Sequence, residues 1–243
     1  MSERRADLLL VELGLFESRA KAQAAIEAGQ VKADGVVVRR PAQKLDPAAR
    51  IEAAPAHPWV GRGALKLDHA LSLWPVPAAG RLVLDLGAST GGFTQVCLAR
   101  GAARVLAVDV GRGQLHPSLR ADPRVADLEG VDARDLTLER LGAAPQLIVC
   151  DASFISLTKA AGAALDLAAP GADFVALIKP QFEVGPERIG KGGLVRDPAV
   201  RAEAIALVLA WLEARGWRVQ AEAESPILGG EGAVEHLVWA RRA

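Results

Sequence analysis

The run Leu82 to Thr94 reads Leu-Val-Leu-Asp-Leu-Gly-Ala-Ser-Thr-Gly-Gly-Phe-Thr. No other stretch constrains the chain as tightly. An apolar strand over Leu82–Leu86 carries Asp85 near its end, a glycine-rich turn follows, and a helix opens at Phe93. Gly87, Gly91 and Gly92 lack Cβ atoms, so a ligand can lie against the backbone there. The spacing D-x-G-x-x-x-G-G is not the G-x-G-x-x-G dinucleotide fingerprint, and an acid at the strand end repels a pyrophosphate. It suits a cationic or amine-bearing ligand instead.

Further apolar strands are expected at Val105–Val108, Leu147–Asp151 and Phe174–Ile178. Helical stretches at Phe93–Arg100, Gln114–Leu119, Leu136–Leu141 and Lys159–Ala168 lie between them. This alternation predicts an α/β fold with a mostly parallel sheet covered by helices. A long amphipathic helix over Pro198–Arg215 is followed by two strands with no helix between, Trp217–Ala223 and Glu235–Ala240. That order predicts an antiparallel hairpin at one sheet edge.

The first 60 residues differ. Helices are predicted over Arg4–Leu13, stopped by Gly14, and over Arg19–Ala28, with Ser18 as N-cap and Gly29 at the C-cap. Val31 and Val36-Val37-Val38 flank Asp34-Gly35, a hairpin signal. Two prolines and two glycines between Pro55 and Gly63 mark a junction, giving units at 1–56 and 64–243 with a linker at 57–63. The chain has 29 basic and 29 acidic residues, and zero net charge by itself argues against a nucleic-acid partner. By region the balance splits: residues 1–66 carry 11 basic and 8 acidic side chains, and the remainder 18 and 21. Only a uniformly basic binder is thereby excluded. Cys97 and Cys150 lie in apolar runs, which points to reduced thiols and a cytoplasmic setting. The N-terminal run Met1-Ser2-Glu3-Arg4-Arg5 lacks the apolar core of a signal peptide, and no stretch is apolar enough to span a membrane.

Two more acids extend the first motif. Asp109 ends the second strand, where a carboxylate can accept from ribose hydroxyls. Asp132 can accept from an adenine amino group, or can simply cap a helix. S-adenosylmethionine, with its sulfonium and ammonium, meets these requirements. These residues resemble the class I S-adenosylmethionine-dependent methyltransferases. The head, with Ser18–Ala22, Ile26–Val31 and Asp34-Gly35, is similar to an S4 RNA-binding domain. The segment Trp59–Leu67, then Asp85–Thr94, Asp109–Leu115, Asp151–Leu157 and Lys179–Gly185, is similar in order and spacing to the TlyA-type, hemolysin A-like rRNA methyltransferases with an FtsJ-like catalytic domain. The resemblance covers essentially the whole chain.

It implies a class I, Rossmann-like domain with a mostly parallel seven-stranded sheet, preceded by a small α+β S4 domain. It also implies methyl transfer to the 2′-hydroxyl of a cytidine in ribosomal RNA, on 23S rRNA with 16S rRNA as a further target, free or within a subunit, with no metal and no membrane. Its Lys-Asp-Lys-Glu tetrad maps onto Lys66, Asp151, Lys179 and Glu235. Its cofactor-binding positions map onto Asp85, Gly87, Ala88, Ser89, Gly91, Gly92, Phe93, Asp109, Val110, Asp132 and Ala133. The chain departs from the family's pattern at Gly61 and Asp132, where Ser and Asn are common, and at His57, where some members carry Arg. Its end at Ala243 resembles the shorter form associated with the large subunit.

The chemistry explains these residue types. A sulfonium is already electrophilic, so the protein must align the hydroxyl and handle its proton. A lysine accepts that proton only if its pKa is drawn well below about 10.4. Otherwise it stays charged and orients the hydroxyl while an acid or water takes the proton; the sequence leaves both routes open. Only seven lysines occur among the 29 basic residues, and two of them fall in the tetrad. Candidate phosphate contacts in the head are Arg4, Arg5, Arg19, Lys21, Arg39, Arg40 and Lys44, with Arg62 at the junction. Arg188, Lys191 and Arg196 lie in a glycine-rich segment, 185–197, expected to be a mobile loop beside the site. Competing functions are a non-catalytic ribosome-assembly factor, a cytolysin, and a methyltransferase for a small molecule or a protein. If phosphates drive binding, affinity for RNA falls steeply as salt is raised; a flat response in a binding titration contradicts it.

Overall fold

A computed structural model describes residues 3–243; Met1 and Ser2, the start of the N-terminal run, lie outside the described residues. The chain divides into two compact units, one ending at Pro58 and the other running from Trp59 to Ala243. The first contains β1 (Arg4–Arg5), α1 (Ala6–Glu12), α2 (Arg19–Glu27), β2 (Val31–Ala33), β3 (Val36–Val37), β4 (Lys44–Leu45) and β5 (Ile51–Ala53). The first helix starts two residues later than its sequence suggests because Arg4 and Arg5 pair with Leu45 and Lys44. Ser18 caps α2 by accepting from the Lys21 amide. The β2–β3 turn has Asp34 and Gly35 at φ 49° and 80°, the double positive φ of a type I′ hairpin. Leu9, Leu10, Phe16, Ile26, Val31, Val38 and Leu45 form this unit's core.

One buried charge organises the head. The Asp7 carboxylate is fully buried and accepts from Arg5 Nε at 3.0 Å, Arg19 at 3.0 Å and Gln23 at 2.8 Å. The Arg5 bond, joined by those of Gln23 and Arg19, holds this carboxyl well below the ordinary range against the opposing effect of burial.

The second unit runs α3 (Ala64–Leu73), β6 (Leu82–Leu86), α4 (Gly92–Ala99), β7 (Arg104–Asp109), α5 (Pro117–Arg120), β8 (Val125–Glu129), α6 (Leu138–Leu141), β9 (Leu147–Cys150), α7 (Leu157–Ala160), α8 (Gly162–Asp166), β10 (Asp173–Ile178), α9 (Pro180–Glu183), α10 (Pro198–Ala214), β11 (Trp217–Glu224) and β12 (His236–Arg242). The seven strands form one sheet in the order β11-β12-β10-β9-β6-β7-β8. Strands β10, β9, β6, β7 and β8 are parallel, and β12 runs antiparallel between β10 and β11. The expected edge hairpin is therefore present.

Strand alternation sorts the core. Val83, Val105, Val149 and Val175 face α3 and α4, with Leu67, Trp74, Phe93 and Val96. Leu84, Leu106, Ile148 and Phe174 face the other way, against Leu165, Val208 and Leu212. Trp59 and Val60, within the stretch expected to be a linker, pack against the first of these clusters. Among the described residues no helix is long and apolar enough to cross a membrane.

Three local expectations change. Gln114 and Leu115 are not helical, because Glu129 takes the amides of Gly113, Gln114 and Leu115. The helix expected over Lys159–Ala168 is two short ones, α7 starting at its Ser156 cap and α8 starting at Gly162. Strand β8, Val-Ala-Asp-Leu-Glu, carries no continuous apolar run and was not expected from its own residues.

At the amino end of β10 the fully buried Asp173 accepts from Arg81 at 2.7 Å, Trp239 Nε1 at 2.8 Å and Arg241 at 2.9 Å. It joins the approach to β6 with strand β12. Removing it strips three donors of their acceptor, so Asp173→Ala is expected to cost about 3 kcal/mol in urea unfolding. A change below about 0.5 kcal/mol, typical of surface substitutions, contradicts that role.

Candidate active site

In sequence the chain passes from β6 outward through β7 to β8, then crosses back to β9 and β10 on the other side of β6. Ligands of open α/β sheets bind at the carboxyl ends of strands flanking such a reversal. A cavity of about 540 Å³ opens there, within the usual size range of small-molecule sites. Its walls include Gly87, Ser89, Asp109, Val110, Gln114, Asp132, Ala133, Arg134, Asp151 and Ser153. A second cavity of about 200 Å³ is lined by Gly61, Arg62, Gly63, Gly87, Ala88, Ser89, Thr90, Gly92, Phe93, Asp151 and Ser153. Gly87, Ser89, Asp151 and Ser153 line both.

The glycine turn shapes this junction. Gly87 has φ 78°, and a Cβ there would stand 3.0 Å from the Ala152 backbone. Gly91, at φ 93°, lines neither cavity; a Cβ on it would meet Leu119 and Leu115. The Asp109 carboxylate accepts from the Ser89 amide at 2.8 Å and the Gly111 amide at 2.7 Å, locking the turn to the end of β7. Asp132 caps the short turn 133–135, and both its oxygens accept from Arg134. The Arg134 hydrogen bonds hold its carboxyl down, to about 2. The capping role weighed from sequence is thus present, and Asp132 still lines the larger cavity.

Asp85 is placed differently from a direct ligand contact. It shares the strand face of Val83, points toward α4 and is fully buried. Its Oδ2 accepts from Thr94 Oγ1 at 2.6 Å, and Oδ1 has no partner. Burial, with added repulsion from Asp151 and Asp109, pushes this carboxyl up to about 7. The structure thus sets an under-compensated acid beneath the turn and two more acids, Asp109 and Asp151, on the cavity wall. This acid-rich setting and the Cβ-free approach at Gly87 fit a cofactor carrying positive charge.

The four polar groups expected to do chemistry gather around Asp151, the one among them that lines both cavities. Lys66 projects from α3, and its Nζ lies 2.5 Å from Glu235 Oε2 and 3.9 Å from Asp151 Oδ2. Lys179, directly after β10, places Nζ 2.6 Å from Asp151 Oδ1, off the hydrogen-bond axis. It donates to Ser153 Oγ at 2.8 Å and to the Asp151 carbonyl at 3.2 Å. Lys66, Lys179 and Glu235 are buried. Two positive and two negative charges therefore balance in one cluster, as buried charges require.

The basic residues vary in their engagement. Arg5 and Arg19 are tied to Asp7 as described, Arg4 reaches Glu12, and Lys21 pairs with Glu17. Arg39, Arg40 and Lys44 are exposed. Arg62, on the smaller cavity, donates to the Leu228 carbonyl. Arg188 is held by Glu203 of α10 at 2.6 Å, and Lys191 and Arg196 are exposed. Segment 185–197 is tied to α10 further by Arg201, which donates to the Val195 and Arg196 carbonyls.

Two site residues were not singled out from sequence. Ser153 holds Lys179, and Gln114 bonds the Ser89 hydroxyl at 3.1 Å. Both lie inside runs that carried the resemblance, which is the only signal that marks them.

The FtsJ-like methyltransferase family matches residues 59–242, and the S4 domain matches residues 4–51. The chain is 46% identical over 239 residues to the 16S/23S rRNA (cytidine-2′-O)-methyltransferase TlyA of Mycobacterium tuberculosis, covering 98% of this chain and 89% of that protein. It is 37% identical to the 23S rRNA (cytidine-2′-O)-methyltransferase TlyA of Campylobacter jejuni, covering 74% of this chain and 70% of that one. A solved structure described as a hemolysin from Streptococcus thermophilus superposes with a TM-score of 0.77 at 36% identity, covering all of this chain and 90% of the other.

A buried carboxyl with a raised pKa favours the fold when protonated. Its contribution is full below the unfolded value and is lost as pH rises through the folded one. For Asp85 that window runs from 3.8 to about 7. Urea unfolding of Asp85→Asn against the parent protein is expected to show the variant gaining relative stability across this window and levelling off above it. A pH-independent difference contradicts the environment described.

Proposed function

The chain belongs to the TlyA-type, hemolysin A-like family of rRNA methyltransferases, an S4 domain followed by an FtsJ-like domain, and on that premise we propose how its site works. The protein is an S-adenosylmethionine-dependent methyltransferase acting on the 2′-hydroxyl of a cytidine in ribosomal RNA. Both curated relatives described above carry 23S rRNA in their names, so 23S rRNA is the proposed target, with 16S rRNA scored alongside it. The observation that carries this reading is the buried, charge-balanced cluster of Lys66, Lys179 and Glu235 around Asp151, which lines both cavities.

S-adenosylmethionine supplies an electrophilic methyl group on a sulfonium. The larger cavity is its proposed place. Asp109 would accept from its ribose hydroxyls, and Val110, Asp132 and Ala133 would lie along its adenine. Gly87 and Ser89, which line both cavities, would flank its reacting end, with Ala88, Gly92 and Phe93 on the smaller cavity beside it. Gly91 shapes the turn, and Asp85 contributes negative charge from beneath it. A cationic neighbour favours the ionised carboxylate, so cofactor and Asp85 support each other.

The smaller cavity receives the substrate ribose. Lys179 meets the attacking hydroxyl and polarises it. Its proton passes into the Lys179–Asp151 pair, whose 2.6 Å separation lets the two groups act as one coupled acceptor. Lys66 and Glu235 remain a neutral ion pair beside it, so the proton's arrival leaves the cluster with one net positive charge. Holding hydroxyl and methyl in line supplies the rest of the acceleration. The S4 domain and exposed cations such as Arg39, Arg40, Lys44, Lys191 and Arg196 meet phosphates, which position the RNA without reading its sequence.

Lys179→Ala is expected to lower kcat/KM for RNA methylation about a thousandfold, the scale for losing a proton-transfer group. S-adenosylmethionine binding, measured by calorimetry, stays near that of the parent protein. Full activity in this variant contradicts the lysine's role. Specific RNA binding by a parent protein that transfers no methyl group supports the assembly-factor alternative.

A further inference from the structure

The segment Asp151–Ser156 brings Asp151 and Ser153 into the site, yet it belongs to no helix or strand. Phe154 within it has φ 66°, a left-handed conformation that costs a non-glycine residue on the order of 1–3 kcal/mol and persists only where its surroundings impose it. Something outside the segment must hold it. The neighbouring α9 has four residues, too few to be stable alone. Each needs the other.

Three ties join them. Lys179, the residue before α9, bonds Ser153 Oγ and the Asp151 carbonyl. Phe182 packs against Phe154 with ring centroids 5.6 Å apart. Glu183, the last residue of α9, accepts from Ser156 Oγ at 2.6 Å and from the Leu157 amide at 2.7 Å. The Glu183 carboxylate thereby supplies an acceptor to the open amino end of α7, where a first-turn amide otherwise lacks one. Of the three ties, the Glu183 contact alone reaches the far end of the segment, so it sets where the segment stops.

We propose that Glu183 is a positioning residue for methyl transfer: by capping α7 it fixes the Asp151–Ser156 segment, and through Ser153 it fixes the direction of Lys179. This rests on the methyltransferase reading of the tetrad, because it matters only if Lys179 must point at a reacting hydroxyl. What the arrangement needs from Glu183 is acceptor geometry rather than charge. Burial pushes its carboxyl up, against the Ser156 and Leu157 bonds. A glutamine satisfies the same partners, its carbonyl accepting from Leu157 and its amide donating to Ser156 Oγ.

The test uses full-length protein, undermethylated ribosomal subunits and S-adenosylmethionine, well below the unfolding temperature. Glu183→Ala and Ser153→Ala are each expected to lower kcat by roughly 10- to 100-fold, the scale of a small misplacement of a reacting group. Cofactor Kd stays close to that of the parent, and Glu183→Gln retains most of the activity. Because both residues act through one lysine, the double variant loses no more than the worse single one. Losses that multiply, or an undiminished kcat in Glu183→Ala, overturn the proposal. If Glu183→Ala does not fold, Ser156→Ala removes one of the two donors and is read in its place, with a smaller loss. Hydrogen exchange supplies a readout that needs no turnover. The amides of residues 152–157 exchange faster in Glu183→Ala than in the parent and Glu183→Gln, and unchanged exchange overturns the proposal. A parent protein that methylates no RNA instead sinks the reading of the tetrad, while the exchange still decides whether Glu183 holds the segment.

Discussion

The Asp151 carboxylate lies between two ammonium groups, 2.6 Å from Lys179 Nζ and 3.9 Å from Lys66 Nζ, and Glu235 balances the second lysine from its other side. Burial ties these groups together. A charge left unpaired in so little water costs several kcal/mol, so each member depends on the other three. They come from separate places: α3, the end of β9, the residue after β10 and the residue before β12. Their meeting depends on strand register. In the β10–β12 pair Ile178 lies opposite His236, so Lys179 and Glu235 leave the sheet side by side. A one-residue slip would turn every side chain of β12 to the other face and leave Lys66 without its closest partner.

The same sheet separates two electrostatic tasks. Acids gather beneath and beside the glycine turn, with Asp85 buried, Asp109 held by two backbone amides and Asp151 shared between both cavities. That environment suits a cation and repels RNA phosphates. Exposed cations are carried by the head and by segment 185–197, and Arg62 and Arg134 stand on the cavity walls. Zero net charge for the whole chain therefore reflects two opposed local requirements and does not argue against a nucleic-acid substrate.

Much of this was legible in the residues. Strands β6, β7, β9 and β10 are buried on both faces and read as continuous apolar runs, and the Asp85–Thr94 turn identifies itself by its glycines. Edge strand β8 escaped because Asp127 and Glu129 interrupt its apolar positions. The short helix expected from Gln114 gave way to Glu129, whose carboxylate takes amides that a helix would have used. The tetrad came from a resemblance; the strand pattern alone put Asp151 and Lys179 at strand ends and Glu235 at a strand start. Asp7, Asp173 and Glu183 were invisible because their importance lies in partners distant in sequence or across a loop. A lone acid in a polar stretch carries no mark of the donors that will surround it.

Methyl transfer to a ribose hydroxyl and not to a base is the chemistry this site is built for. Its most direct test is to incubate the protein with S-adenosylmethionine and undermethylated ribosomal subunits, digest the RNA to nucleosides and identify the product by mass spectrometry. The expected product is 2′-O-methylcytidine at a unique position. A methylated base, or no methylated nucleoside at all, contradicts it.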